Sequence, residues 1–259
     1  MVAIKSAYMN KINKREHDIR AASDDLIENA FYFIASAIDS VPSSARHTIL
    51  DLHTSIELFF KARLMFEHWS LVLDKPGDVS FEKFISGDFK SIYLTQAIKR
   101  IDHITDEKIS KDTIDAFKSL SIHRNRIAHF SSVEAANKDS ESIGELWACW
   151  FHMNTLLMGT WANYFDTYAE EIKNLDEKLK KHICYLKEVF NNNKSEIDIE
   201  LKKGNKVENC NACSFMSLII DMNTEAPSAG VWKPANTWGG VRNTKCLVCG
   251  LESRIYAPE

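Results

Sequence analysis

Four of the six cysteines fall into two tight pairs, Cys210 and Cys213 in "CNAC" and Cys246 and Cys249 in "CLVC". A gap of two residues lets one short turn aim two sulfurs at a common point. Two such pairs close a tetrahedral four-thiolate shell suited to zinc. The pairs are separated by 32 residues, so the chain between them, including "EAPSAGVWKPANTWGG", is expected to leave and return as a loop or hairpin. With sulfur at all four positions no place remains for a water, so the expected zinc is structural and does no chemistry. Two disulfides fit poorly with a chain that shows no export signal, and a redox pair lacks its βαβ setting. Cys149 and Cys184 fall within helical patterns and read as buried or half-buried thiols.

Upstream of the cysteines the texture is helical, with only 9 Gly and 5 Pro in 259 residues. Between residues 16 and 40, Ile19, Ala22, Leu26, Ala30, Ile34 and Ile38 recur in steps of three and four and form one helix face. A second helix is expected over about 44–72. Its run "ILDLHTSIELFFKARLMFEHWSLVL" is apolar on most of its circumference and carries Glu57 and Lys61 at i, i+4. "DKPGDV" ends it. Shorter helices follow over Ile92 to His103 and from Ser110 or Lys111 onward. From Ser142 to about Phe190 the pattern reads as one long helix or two broken near Gly159, with Trp147, Trp150, Phe151, Trp161, Tyr164 and Phe165 as core or subunit contacts. "NNNKS" is expected to close the helical part, and "SEIDIELKKG" alternates like a strand. The expectation is a mainly α chain: a helical domain over 1–192 and a small β-rich zinc ribbon over 193–259.

The formal net charge is −4, so no overall basic field draws the molecule to nucleic acid. The segment from Leu201 carries seven Lys and Arg against five Asp and Glu, a local balance of +2 that leaves −6 before it. No stretch of 18 apolar residues is free of polar breaks, and the N-terminus turns charged before a signal core can form. A cytoplasmic protein without membrane contact is expected.

One stretch resists the plain reading of a buried helix. Along "TIDAFKSLSIHRNRIAHF" the apolar stripe runs Ile114, Phe117, Leu120 and Ile127, and Arg124 falls on it, four residues after Leu120. A guanidinium keeps its charge, so it must meet carboxylate, phosphate or water. His129, near the helix end, is placed to border the same cleft. An Arg that holds a phosphate and a His that moves a proton suffice in kind for RNA cleavage by the 2′-OH, with no cofactor. As an Arg and a His on a helix alone, the pair fits a structural ion pair and a satisfied histidine better.

"RNRIAH" resembles the Arg-Asn-x-x-x-His form of the motif of the HEPN superfamily, and "TSIELFFKARL" is similar to its second helix, where a Glu and a Lys commonly stand four apart. "LSIHRNRIAHF" resembles the corresponding helix end in HEPN proteins of bacterial defence and toxin systems. The likeness covers about residues 16–170. It implies an antiparallel helical bundle that forms a homodimer with the motif helices facing each other, and a composite endoribonuclease site serving antiviral defence or toxin-like growth arrest. It further implies that Arg124 stabilises the scissile phosphate, His129 transfers protons and Asn125 orients the site. Toxins of the family silenced by a nucleotidyltransferase partner often carry Tyr two residues after the His, whereas Phe130 and Ser131 follow His129 here. A regulatory partner protein would therefore act by another route.

His123 and Arg126 flank the motif as RNA contacts or as solvated helix-end residues. Glu57 and Lys61 are assigned chiefly to structure. In the tail, Trp232, Trp238, Lys233, Arg242 and Lys245 could supply stacking and phosphate contacts to RNA, though the two tryptophans fit slightly better as the ribbon's small core. The alternative function is a non-catalytic module that binds nucleic acid or protein. It predicts an internal carboxylate on Arg124 and no open cleft beside His129.

Overall fold

The computed structural model describes residues 2–41, 44–129, 140–227, 231 and 239–258. The chain is mainly helical, with one four-stranded antiparallel sheet near the C-terminus. It divides into two compact units, Met1–Asp176 and Glu177–Glu259.

In the first unit, α1 (Val2–Ser40) extends the expected helix upstream. Its core stripe is Ile27, Ala30, Phe31, Ile34, Ala37 and Ile38, while Ile19, Ala22 and Leu26 of the expected face are half-buried. Helix α2 (Ala45–Glu67) is the central one. Ser44 caps its start, its side chain accepting from His47 N–H at 3.3 Å. Buried Ile49, Leu52, Ile56, Phe59, Phe60 and Leu64 line much of its circumference. Ser36 donates to Asp51 at 2.6 Å and ties α1 to α2. The helix stops at His68, and a 3₁₀ turn, Trp69–Val72, takes the chain on.

After the short α3 (Phe81–Ile85), α4 (Leu94–Ile104) buries Leu94, Ala97, Ile98 and Ile101, an i, i+3, i+4, i+7 set. Helix α5 (Lys111–His129) carries the motif and buries Thr113, Phe117 and Leu120. Helix α6 (Ser140–Thr155) gives way to one π turn, Leu156–Thr160, closed by Trp161 N–H donating to Leu156 O at 2.8 Å. Of the two readings, one long helix or two broken near Gly159, the structure has the break, as this turn; the one-turn α7 (Ala162–Phe165) and α8 (Ala169–Leu179) follow, and the chain breaks again at Lys180–His182, so neither reading gave the full number of pieces.

The π turn brings Trp161 edge-on to Phe60 at 4.9 Å, and Phe117 meets Phe60 edge-on at 5.5 Å. Trp147, Trp150, Trp161 and Phe165 are buried, as the core reading of the aromatic stripe requires, while Phe151 and Tyr164 are only half-buried. Each fully buried large side chain of this kind contributes ~2–3 kcal/mol of transfer free energy.

In the second unit, α9 (Ile183–Asn192) is followed at once by α10 (Lys194–Lys202), so "NNNKS" does not end the helical part. The strand expected over "SEIDIELKKG" is this helix. The alternation misled because only Ile197 of its apolar residues is buried, while Ile199 and Leu201 are about half exposed, at 50% and 49%. Glu196 in the first turn and Lys202 in the last suit the helix dipole.

Gly204, at φ +87°, then releases the chain into β1 (Lys206–Asn209). Strands β2 (Met216–Glu225), β3 (Gly239–Cys246) and β4 (Glu252–Pro258) pair antiparallel in sequence order. Leu218 lies opposite Cys246, and Lys245 opposite Glu252. The compact second unit therefore begins upstream of residue 193 and includes the two helices before the sheet.

Candidate active-site cleft and metal centre

Arg124 and His129 come from the last two turns of α5, where the apolar stripe fades. Arg124 is half-buried, and Asn125 and His129 are exposed. All three line one cleft of about 280 Å³, whose opposite wall is His53 and Glu57 of α2 and whose rim is Tyr93, Leu94 and Thr95 at the start of α4. Arg124 Nη1 donates to Asn125 Oδ1 at 3.0 Å. Among the described residues no carboxylate lies within ion-pair distance of Arg124.

The contrast with Arg63 is instructive. Arg63 is the buried arginine of this unit, 1% exposed, and its fork donates to Glu107 at 3.1 and 2.9 Å and to Glu67 at 2.8 Å. Its guanidinium also lies 3.8 Å from the Tyr164 ring centroid. Burial disfavours its charge, but the two carboxylates outweigh this and raise its pKa. The fold pairs an arginine fully where structure alone requires it. Among the described residues Arg124 has no such neutralisation.

Glu57 faces the cleft but is engaged on both oxygens. Oε1 accepts from Lys61 Nζ at 2.7 Å, and Oε2 accepts from Leu94 N–H, the first residue of α4, at 3.0 Å. Lys61 Nζ also donates to Ser91 at 2.9 Å. The pair thus locks α4 onto α2, a structural task, and leaves the cleft without a free carboxylate from Glu57.

His53, buried at 7% exposure, was not singled out by sequence. Its Nε2 lies 3.3 Å from Ser121 Oγ, and Ser121 gives its own hydrogen to Phe117 O at 2.9 Å. Nε2 must therefore be the donor, which fixes the neutral Nε2–H tautomer. Burial, then the positive Arg124 and Lys61, bring its pKa down to about 4 against the opposing pull of Glu57. The signal in sequence was its place four residues before Glu57, on the same face as the Glu57 and Lys61 pair. Tyr93 and Thr95 gave no signal, because α4 supplies them from far along the chain.

The four cysteines of the ribbon converge. Their sulfurs all lie within 4.8 Å of one another, with Cys210–Cys249 and Cys213–Cys246 at 3.6 Å. Zn–S bonds of ~2.3 Å at tetrahedral angles require sulfur separations of ~3.8 Å, so the set fits a metal ion and is too open for disulfides. Two matching turns build it. Cys210 N–H donates to Phe215 O and Cys246 N–H to Leu251 O. Ser214 N–H returns to Cys210 O, and Gly250 N–H to Cys246 O.

The residue after each pair takes positive φ, +65° at Ser214 and +78° at Gly250. Burial pushes the Cys246 thiol up, but hydrogen bonds from Ser217 and from Cys249 and Val248 N–H outweigh it and bring the pKa to about 7. Burial, with the neighbouring thiols, raises Cys213 and Cys249. Cys246 is thus a ready thiolate, and an ion would draw off the protons of Cys213 and Cys249.

Of the ribbon residues considered for RNA, the two basic ones among the described residues are partly engaged. Lys245 is 3.1 Å from Glu252, and Arg242 is half-buried with its Nε enclosed. The groove beside Lys245 is lined by Glu196, Glu200, Asp221 and Glu252. Lys233, Trp232, Trp238, Phe130 and Ser131 lie outside the described residues. His123 is half-buried and Arg126 exposed near the cleft end of α5, and Cys149 is buried with its thiol 3.4 Å from Ala116 O. No helix among the described residues is long and apolar enough to cross a membrane.

Comparison with family models, with curated proteins and with solved structures returned no match.

Proposed function

We propose that the chain is a metal-independent endoribonuclease of the HEPN type, which cuts RNA by attack of a 2′-OH on its own phosphodiester. The observation that carries this reading is the cleft itself. Arg124, Asn125 and His129 share it, and among the described residues no carboxylate neutralises Arg124. The non-catalytic alternative requires the opposite arrangement.

In this reading the Arg124 guanidinium takes the scissile phosphate and stabilises the negative charge that grows on it during attack. Asn125 Oδ1 holds one Arg124 N–H and fixes the fork's orientation. His129, exposed at the helix end, takes the proton from the 2′-OH or returns one to the departing 5′-oxygen. One histidine can do only one of these at a time, so two copies of the motif helix, facing each other in a homodimer, supply a base and an acid. The product ends are a 2′,3′-cyclic phosphate and a 5′-hydroxyl.

The ribbon holds a structural zinc ion on Cys210, Cys213, Cys246 and Cys249 and takes no part in the chemistry. Antiviral defence or toxin-like growth arrest is the setting such a nuclease would serve, in the cytoplasm and under the restraint of a partner protein or a trigger.

Mixing tests both the site and its dimeric form. Arg124→Ala and His129→Ala should each lower cleavage of an RNA pool by about 10²-fold or more. Mixed with wild type after dissociation and reassociation, an excess of His129→Ala chain should draw wild type into mixed dimers and silence it, because each mixed dimer then holds one His129 and lacks either the base or the acid. Wild-type levels of cutting in either single variant would remove the site assignment, and undiminished cutting by proven mixed dimers would remove the composite arrangement.

A further inference from the structure

The cleft has an aromatic rim that phosphate chemistry alone does not need. Tyr93 is 56% exposed, and among the described residues it stacks on no other ring. Its backbone, by contrast, is held firmly. Its N–H donates to Gln96 Oε1 at 3.0 Å, and its carbonyl accepts from Gln96 and Ala97 N–H at 2.9 and 3.0 Å. On one side Ile92 N–H donates to Val72 O at 3.0 Å, and on the other Leu94 N–H is fixed by Glu57. The Lys90 ammonium sits over the ring, 5.6 Å from its centroid, and is itself held by Asp74 at 2.9 Å. The ring is thus carried on a fixed backbone and is more than half exposed, so binding need not first order the chain that bears it.

We infer that Tyr93 is the base-stacking residue of this cleft: it receives a nucleobase of the RNA strand whose phosphate lies at Arg124. The inference rests on the nuclease reading and extends it to the base beside the cut. Two features favour a nucleotide over a peptide or a second copy of the chain. The cleft offers a guanidinium that no carboxylate among the described residues neutralises, and its Glu57 is consumed by Lys61 and Leu94, so no free carboxylate of Glu57 repels the anion. A π face beside a phosphate site matches what a single-stranded nucleotide presents, whereas bases within a duplex keep their faces to each other.

The test uses full-length protein carrying His129→Ala, so that bound RNA survives, and a fluorescent single-stranded RNA octamer of mixed sequence. Adding Tyr93→Ala should weaken binding by about 10-fold to 100-fold, the range for loss of one base–aromatic stack. Tyr93→Phe, which keeps the ring, should restore it. Circular dichroism and sedimentation of each variant accompany the titration. Equal binding by the Tyr93→Ala and parent proteins overturns the inference and leaves the nuclease reading intact. A change in oligomeric state on Tyr93→Ala also overturns it, because the ring would then belong to a contact between copies. If the parent binds no RNA and wild type cuts none, the nuclease reading fails and takes the inference with it.

Discussion

His53 makes stability depend on pH in a direction and amount that can be worked out. In the unfolded chain its pKa is the ordinary 6.5, and in the folded protein it is held down to about 4 by burial and by Arg124 and Lys61. Between these values the unfolded state binds a proton that the folded state refuses. Stability from this group is therefore full above pH 6.5 and is lost as pH falls toward 4.

At pH 5 the linkage relation gives a loss of about 2 kcal/mol relative to pH 7 from this one residue. Other groups also titrate in that interval, so the comparison is with His53→Gln. Its amide can donate to Ser121 as Nε2–H does but cannot take up a proton. Urea unfolding of both proteins at pH 7 and pH 5 isolates the effect. The wild type should lose about 2 kcal/mol more than the variant over that interval. Parallel losses would refute the reasoning, and the imidazole would then have to be solvated or paired as a cation.

Further outcomes follow from other parts of the structure. Arg63→Ala leaves Glu107 partly buried without its cation and should cost about 3–5 kcal/mol in chemical denaturation, against under ~1 kcal/mol for removing an exposed pair such as Lys118–Asp115. A loss below 1 kcal/mol would mean that the network is solvated. Cys246→Ser removes one of the four ligands and should abolish the one zinc per chain expected from elemental analysis of wild type. It should also melt the β-sheet signal, since structural zinc of this kind contributes ~10 kcal/mol or more. A ribbon that stays folded without metal would contradict this. Ser214→Gly, at φ +65° where the matching turn has Gly250, should leave the thermal midpoint unchanged or raise it by a degree or more, about 1 kcal/mol at most. A lower midpoint would show that the Ser side chain has a role in the turn.

Parts of this account were legible in sequence because the deciding physics is local. The CxxC spacing fixes how two sulfurs converge whatever surrounds them, and the four thiols meet. The steps of three and four that mark α1 and α5 are likewise properties of one helix at a time. Where burial depends on distant partners, the pattern misled or fell silent.

The alternation of Ile197, Ile199 and Leu201 looks like one face of a strand, but the fold buries only Ile197, and a Glu- and Lys-rich segment without that second contact is free to be helical. Arg124 was expected on a buried stripe. The arginine buried fully is Arg63, whose partner Glu107 lies beyond α4. Arg124 is only half-buried and opens into the cleft it shares with Asn125 and His129. His53, Tyr93 and Thr95 come to the cleft from two other helices, and no spacing within α5 could disclose them. The break after Thr155 was visible at Gly159, but its form, a π turn that swings Trp161 onto Phe60, depends on core packing.

The measurement that bears most directly on the central claim is the chemistry of the cut ends. Wild type, Arg124→Ala and His129→Ala are incubated with an RNA of defined sequence in EDTA, at a concentration where circular dichroism shows the ribbon still folded. A parallel substrate carries a 2′-deoxy nucleotide at each site cut. The account predicts 2′,3′-cyclic phosphate and 5′-hydroxyl ends from wild type alone, and no cut at the deoxy positions. Cutting that survives either substitution, that proceeds at deoxy positions, or that leaves 3′-hydroxyl ends would contradict it, as would folded, dimeric wild type that leaves every RNA intact.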